Sequence, residues 1–249
     1  MRLEYDAFSD TGLQREHNED ACAIREPRSP EEEARLGWLL AVADGMGGHL
    51  AGEVASKLAI ETLLERYGQQ AGADPGAALQ DAVARANRAV WEAGQSDASR
   101  VGMGTTLVAA VIRAGRVLVA HVGDSPAFLI RQGEVQRLTQ RDHSWVAEAV
   151  ERGYLLPEEA ESHPYRHVLT RALGSYPDVA ADLSEERPLY PEDVVVLCSD
   201  GLLRHVRQQE LPALVQGRSA HEAAHRLVAL ANERGGEDNT TVVICRVLP

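Results

Sequence analysis

Three short apolar runs end in an aspartate with a glycine beside it: Leu39-Leu40-Ala41-Val42-Ala43-Asp44-Gly45, Ala120-His121-Val122-Gly123-Asp124, and Val195-Val196-Leu197-Cys198-Ser199-Asp200-Gly201. A further acid, Asp238, stands just before Thr240-Thr241-Val242-Val243-Ile244. Aspartate is a poor strand residue, and a carboxylate at the end of a buried strand is costly unless something neutralises it. A lone Asp-Gly between apolar runs reads as a hairpin turn. That reading fails here. Asp44-Gly45-Met46-Gly47-Gly48-His49 feeds a helical pattern, and Asp200-Gly201-Leu202-Leu203-Arg204 is not followed by a second alternating run. Central strands that deliver several carboxylates to one rim offer an all-oxygen donor set, which suits hard cations such as Mg²⁺ or Mn²⁺. Glycine beside the acid lets its own carbonyl, or a phosphate, approach closely.

The elements that must position these acids are Val-, Leu- and Ile-rich runs at Trp38 to Ala43, Thr106 to Ile112, Val117 to Val122, Ala127 to Ile130, Val194 to Cys198 and Thr241 to Val247. Each predicts a buried strand. Helical spacing joins Ala51, Val54, Ala55, Leu58, Ala59 and Thr62, and further helices are predicted over Ala78 to Ala93, Trp145 to Arg152 and Ser219 to Glu233. Strands in adjacent pairs with helices at either side imply an α+β layered fold rather than regular βαβ alternation. Glu26 to Arg35, with its two prolines and its charges, reads as a solvated loop.

A chain of 249 residues lies at the upper end of what one core serves, and it has no repeat or low-complexity tract, so one domain is expected. Net charge is −13, and Lys57 is the only lysine. Such an acidic surface repels nucleic acid and anionic membrane, so neither is expected as a partner. No apolar run nears the ~20 residues that cross a bilayer, and Met1-Arg2-Leu3-Glu4-Tyr5-Asp6 is not a leader, which predicts a cytoplasmic protein. Cys22, Cys198 and Cys245 are too few and scattered for a disulfide framework or a thiolate site. Cys198 shares strand parity with Asp200, which predicts that it packs beneath the acids.

Eight segments in order resemble the metal-dependent protein phosphatases of type 2C, especially small bacterial members. They are Asp10-Thr11-Gly12-Leu13-Gln14-Arg15-Glu16-His17-Asn18-Glu19-Asp20, Asp44-Gly45-Met46-Gly47-Gly48-His49, Gly102-Met103-Gly104-Thr105-Thr106, His121-Val122-Gly123-Asp124-Ser125, Leu138-Thr139 with Asp142-His143-Ser144, Leu169-Thr170-Arg171-Ala172-Leu173-Gly174, Ser199-Asp200-Gly201-Leu202 and Asp238-Asn239-Thr240-Thr241. The resemblance implies a four-layer α-β-β-α sandwich of two antiparallel sheets flanked by helices. It implies one catalytic domain over residues 1–249, with a substrate flap at about 141–164.

By the same resemblance the activity is hydrolysis of phosphoserine and phosphothreonine in proteins, with two Mn²⁺ or Mg²⁺ ions and a weaker third. Asp44 would bridge the two metals, Gly45 would lend its carbonyl, and Asp200 and Asp238 would complete one metal. Glu19 and Asp20 would sit at the waters or edge of the other, Arg15 would hold the phosphate, and Asp124 would serve the third. The implied partners are phosphorylated proteins and a cognate Ser/Thr kinase, and the implied state is a monomer. The sequence departs from the pattern at Met46, where eukaryotic relatives place a proton-donating histidine, which leaves His49 as a candidate donor. It departs again at Pro126 and Arg204, near the third metal.

Two rival readings exist. His221-Glu222-Ala223-Ala224-His225 matches a zinc-peptidase pattern. Ser219 with Glu222 is also a capping-box spacing, both histidines fall towards the polar side of the helix, and no third histidine follows. A pseudophosphatase that only docks partners would have lost the metal carboxylates, and Asp44, Asp200 and Asp238 are present. The other histidines read as structural: His121 lies in a strand, and Pro164 separates His163 from His167.

Overall fold

Alternation along the central strands sets the layering. In β3 (Trp38–Met46), Leu39, Ala41 and Ala43 join a core shared with helices, while Leu40 and Val42 join a different core between two sheets. Successive side chains of a strand point to opposite faces, so one strand serves two layers. Asp44 continues the parity of Leu40 and Val42 and so emerges at the rim between the sheets.

The computed structural model describes residues 1–47, 50–70, 74–160 and 162–249. In chain order its other strands are β1 (Leu3–Asp10), β2 (Asp20–Arg25), β4 (Gly104–Thr105), β5 (Leu107–Arg113), β6 (Arg116–Val122), β7 (Ala127–Arg131), β8 (Glu134–Arg137), β9 (Asp182–Leu183), β10 (Arg187–Pro188), β11 (Val194–Cys198) and β12 (Thr240–Val247). The helices are α1 (Pro30–Leu36), α2 (Leu50–Gly68), α3 (Pro75–Ser96), α4 (Trp145–Glu151), α5 (Pro157–Ala160), α6 (Asp200–His205), α7 (Leu211–Val215) and α8 (Ala220–Glu233).

One antiparallel sheet runs β1-β12-β11-β7-β8 and the other β10-β6-β5-β3-β2. Leu40, Val42, Val119, Leu129, Leu197 and Val243 fill the space between them. The outer face of the second sheet packs on Leu63, Leu79 and Val83 of α2 and α3, and that of the first on Ala224 and Leu227 of α8. The result is the expected four-layer arrangement, two antiparallel sheets flanked by helices.

Two local readings change. The charged segment expected to be a loop contains α1. Ser29 accepts the Glu32 N–H, Pro30 starts the helix, three glutamates occupy the first turn, and Gly37 ends it at φ 67°. Each favours a helix end, and together they outweigh the loop signal of the prolines. Cys198 does not lie beneath the acids. The chain turns into α6 straight after Ser199, so Asp200 loses its strand parity, and Cys198 packs in the outer core with α8.

Between β8 and β9 the chain makes a long excursion. Its base is pinned where Ser144 bridges Leu169, the Trp145 N–H donates to Val168 O at 2.8 Å, and the Thr170 N–H donates to His143 O at 2.9 Å. The outward part carries a stack of Trp145 on His163 (centroids 4.8 Å apart) with Tyr165 edge-on.

Candidate active site

β2 and β3 pair antiparallel with Asp20 directly opposite Asp44. The end of β3 is tightly fixed. The Asp44 N–H donates to Thr106 Oγ1, and its carbonyl accepts from the Thr106 N–H and the Thr105 hydroxyl, each at 2.9 Å. The Gly45 N–H donates to Glu19 O at 3.1 Å. A Cβ on Gly45 would lie 2.2 Å from Gly52 O and 2.5 Å from Glu19 O, so only glycine lets α2 and the β1–β2 loop close on this corner.

Asn239 ties the far side together. Its Oδ1 accepts the Glu19 N–H at 2.8 Å, and its Nδ2 donates to Thr11 O and His17 O at 2.9 Å each. The loop bearing Arg15 and Glu19 is thereby anchored to Asp238, although those residues lie more than two hundred positions apart.

Asp44, Asp124, Asp200, Asp238 and Glu19 line one open cavity of ≈ 250 Å³ together with Arg15, Gly45, Arg204 and His167. The structure thus unites the residues expected to do chemistry, except that Asp20 lies behind the cavity wall rather than on it. His49 falls outside the described residues. Arg204, His167, Asn239 and Thr106 are additions that no spacing in the sequence points to. Their roles depend on contacts with distant segments: Thr106 and Asn239 lie in matching segments that assign them no role, His167 reads as structural, and Arg204 stands out as a departure from a pattern.

Repulsion dominates the electrostatics. Burial raises the Asp44 carboxyl well above its ordinary range, and Asp20, Asp200, Asp124 and Asp238 raise it further. Burial pushes Asp124 up to about 8, with Asp200 and Asp142 adding to it. Burial likewise pushes Asp20 up to about 7, held back by the hydroxyls of Thr241 (2.6 Å) and Ser199 (2.8 Å), which both donate to its Oδ2. The other oxygen, Asp20 Oδ1, is buried with no hydrogen-bond partner.

Two arginines offset part of this charge. Arg15 Nη2 lies 2.8 Å and 2.9 Å from the two oxygens of Asp238, and Arg204 Nη2 contacts Asp200 and Asp238. Mutually repelling carboxylates around an open cavity, with an unpartnered buried oxygen behind them, fit hard divalent cations.

A family model described as protein phosphatase 2C matches residues 14–234. The chain belongs to the protein phosphatase 2C family. Among relatives, the serine/threonine protein phosphatase PstP of Mycobacterium tuberculosis is 40% identical over 246 residues, covering 99% of this chain and 45% of that protein. The chain therefore spans less than half the length of that relative. The serine/threonine phosphatase stp of Listeria innocua is 35% identical over 241 residues, covering 95% of this chain and 92% of that protein. The crystal structure of the PstP catalytic domain with two manganese ions is 38% identical, superposes with a TM-score of 0.84 and covers 99% of both chains. Here Cys198 and Cys245 are buried with thiols pushed up by burial, Cys245 to about 12.

Proposed function

We propose that this chain is the catalytic domain of a protein serine/threonine phosphatase, acting on phosphoserine and phosphothreonine in phosphorylated proteins and opposing a cognate Ser/Thr kinase in the cytoplasm, as a monomer. Residues 1–249 form one catalytic unit, with the excursion from about 141 as its substrate flap. The observation that carries this reading is the convergence of five carboxylates and two arginines on one open cavity. No helix is long and apolar enough to cross a membrane among the described residues.

Two Mn²⁺ or Mg²⁺ ions bound there supply an acidified water and offset charge on the phosphate oxygens, so that no covalent phosphoenzyme is needed. Asp44, whose backbone is fixed by Thr105 and Thr106, and the Gly45 carbonyl would help hold both ions. Asp200 and Asp238 would complete one ion, Glu19 would border the other with Asp20 behind it, and Asp124 would serve a weaker third. Arg15, half-exposed at the mouth, exchanges its Asp238 contact for the substrate phosphate, where its fork matches two oxygens. His167 and Leu169 bring the flap's base to the cavity wall, which makes the flap a selector of substrates.

Phosphate release from a phosphothreonine peptide with Mn²⁺, Mg²⁺, Zn²⁺ or a chelator tests this. Strong turnover with Mn²⁺, less with Mg²⁺ and none with chelator is expected. Full activity after exhaustive chelation overturns it, and metal-induced thermal stabilisation without turnover in any metal favours a binding module instead.

A further inference from the structure

His221 and His225 lack a third ligand in the sequence around them, and the fold supplies one from the other end of the chain. Along β1 the alternate residues Asp6, Phe8 and Asp10 all meet α8. Asp6 Oδ2 is 2.7 Å from His221 Nδ1, the Phe8 ring is 3.8 Å from the His225 ring, and Asp10 Oδ1 accepts from Asn232 Nδ2 at 2.9 Å. One ring nitrogen from each histidine and one Asp6 oxygen lie within 4.8 Å of one another.

We propose that Asp6, His221 and His225 form a mononuclear site for a zinc-class divalent cation, apart from the carboxylate cavity. Two imidazoles and one carboxylate favour Zn²⁺ and its neighbours Co²⁺, Ni²⁺ and Cu²⁺ over Mg²⁺ or Mn²⁺. Tetrahedral ligands at ~2.0–2.2 Å from zinc are roughly 3.3 Å apart, so an exposed His221 has only to turn from its hydrogen bond with Asp6 onto the ion. Helical i, i+4 spacing puts both rings on one face, and their centroids are 4.2 Å apart. His225 is half-buried and steadied by Phe8.

The cluster is not a peptidase centre. Glu222 accepts from the Ser219 N–H and hydroxyl at 2.9 Å each, which spends it on the helix cap and leaves water beside the ion without that general base. Zinc there ties the edge strand β1 to α8. The other imidazole cluster of this kind among the described residues, His121 with His143 and Asp182, is unsuited to a cation, because Arg171 Nη1 already holds Asp182 at 2.7 Å and His143 Nδ1 accepts the Gly123 N–H.

Titration calorimetry with zinc chloride, in excess Mg²⁺ to occupy the carboxylate cavity, tests the site in the full chain. Wild type is expected to bind one more equivalent of zinc than His221→Ala or His225→Ala, and Asp6→Asn to bind it about tenfold more weakly. His225 is half-buried and its replacement risks the fold, so the exposed His221→Ala, checked by circular dichroism, is the deciding variant. Zinc should also raise the melting temperature of wild type and not that of His221→Ala. Equal zinc stoichiometry and affinity in wild type and a folded His221→Ala overturns the proposal. Neither readout depends on phosphatase turnover.

Discussion

The guanidinium of Arg204 stands across Asp200 and Asp238, 2.7 Å from one carboxylate and 3.0 Å from the other, with His167 Nδ1 at 3.2 Å behind it. Burial works against its charge, yet Asp200, Asp238 and Asp44 hold its pKa above the ordinary arginine value. It therefore occupies carboxylate oxygens that a cation would need. Arg204→Leu leaves both acids without that partner in the metal-free protein. With ~1.5–3 kcal/mol for a hydrogen bond to a charged group, the metal-free melting temperature should fall by roughly 3–12 °C. Stabilisation by Mn²⁺ should grow and half-saturate at lower concentration. A thermal-shift titration that superposes on wild type would show that Arg204 does not compete with metal.

Asp44→Asn removes the charge that four other aspartates repel. Turnover should fall below a tenth of wild type, a barrier increase above ~1.4 kcal/mol. The metal-free variant should nonetheless melt higher than wild type, because a neutral amide in a crowded acidic site relieves repulsion. Paired kinetics and calorimetry check this, and a variant that keeps most of its kcat would remove Asp44 from between the ions.

Much of the frame was legible because burial on both faces writes itself as unbroken Val, Leu and Ile runs. Val194 to Cys198 is β11 residue for residue, and Trp38 to Ala43 forms all of β3 but its last three residues, Asp44 to Met46. The acids at their ends were legible for the same reason, since Asp44 interrupts a pattern that has no other use for a charge. What stayed hidden depends on distance in sequence. Asn239 gathers Thr11, His17 and Glu19, and nothing local marks an asparagine as a tie. Asp6 meets His221 only because β1 pairs with β12 and lies under α8. The α1 helix was missed for the opposite reason: its caps are local, but its prolines and charges resemble those of a loop.

His121 should make the fold acid-sensitive. Burial lowers its pKa below the ordinary 6.5, although the Arg141 carbonyl and Asp182 work the other way. Its Nε2 donates to Arg141 O at 2.8 Å, and its Nδ1 is buried without a partner, so a second proton has nowhere to bond. A histidine with a depressed folded pKa binds fewer protons folded than unfolded, so its contribution is present above 6.5 and lost as pH falls through the two pKa values. His121→Gln keeps a donor for Arg141 and cannot titrate. Between about pH 7.5 and about pH 5 the variant's melting temperature should decline less than that of wild type. Parallel declines would mean that His121 takes up no proton on unfolding.

The proposed grip on a phosphate rests on Arg15. Its side chain is 49% exposed and its Nη2 reaches both oxygens of Asp238, a pairing that a phosphate dianion can replace, since a guanidinium binds two oxygens of either group. Losing a hydrogen bond to a charged group costs ~1.5–3 kcal/mol, so Arg15→Ala should lower kcat/KM roughly 10- to 150-fold. Arg15→Lys should recover only part of that, because an ammonium restores the charge without the planar fork. Because Arg15 also touches Asp238, Mn²⁺ titrations must accompany the kinetics. Metal should bind no more weakly, since losing Arg15 frees the oxygens of Asp238 while the remaining carboxylates stay in place around the cavity. A solvated arginine with no part in binding would leave both variants near wild type. Unchanged kcat/KM, or a loss that extra Mn²⁺ fully restores, would assign Arg15 to the charge balance of Asp238 and not to the substrate.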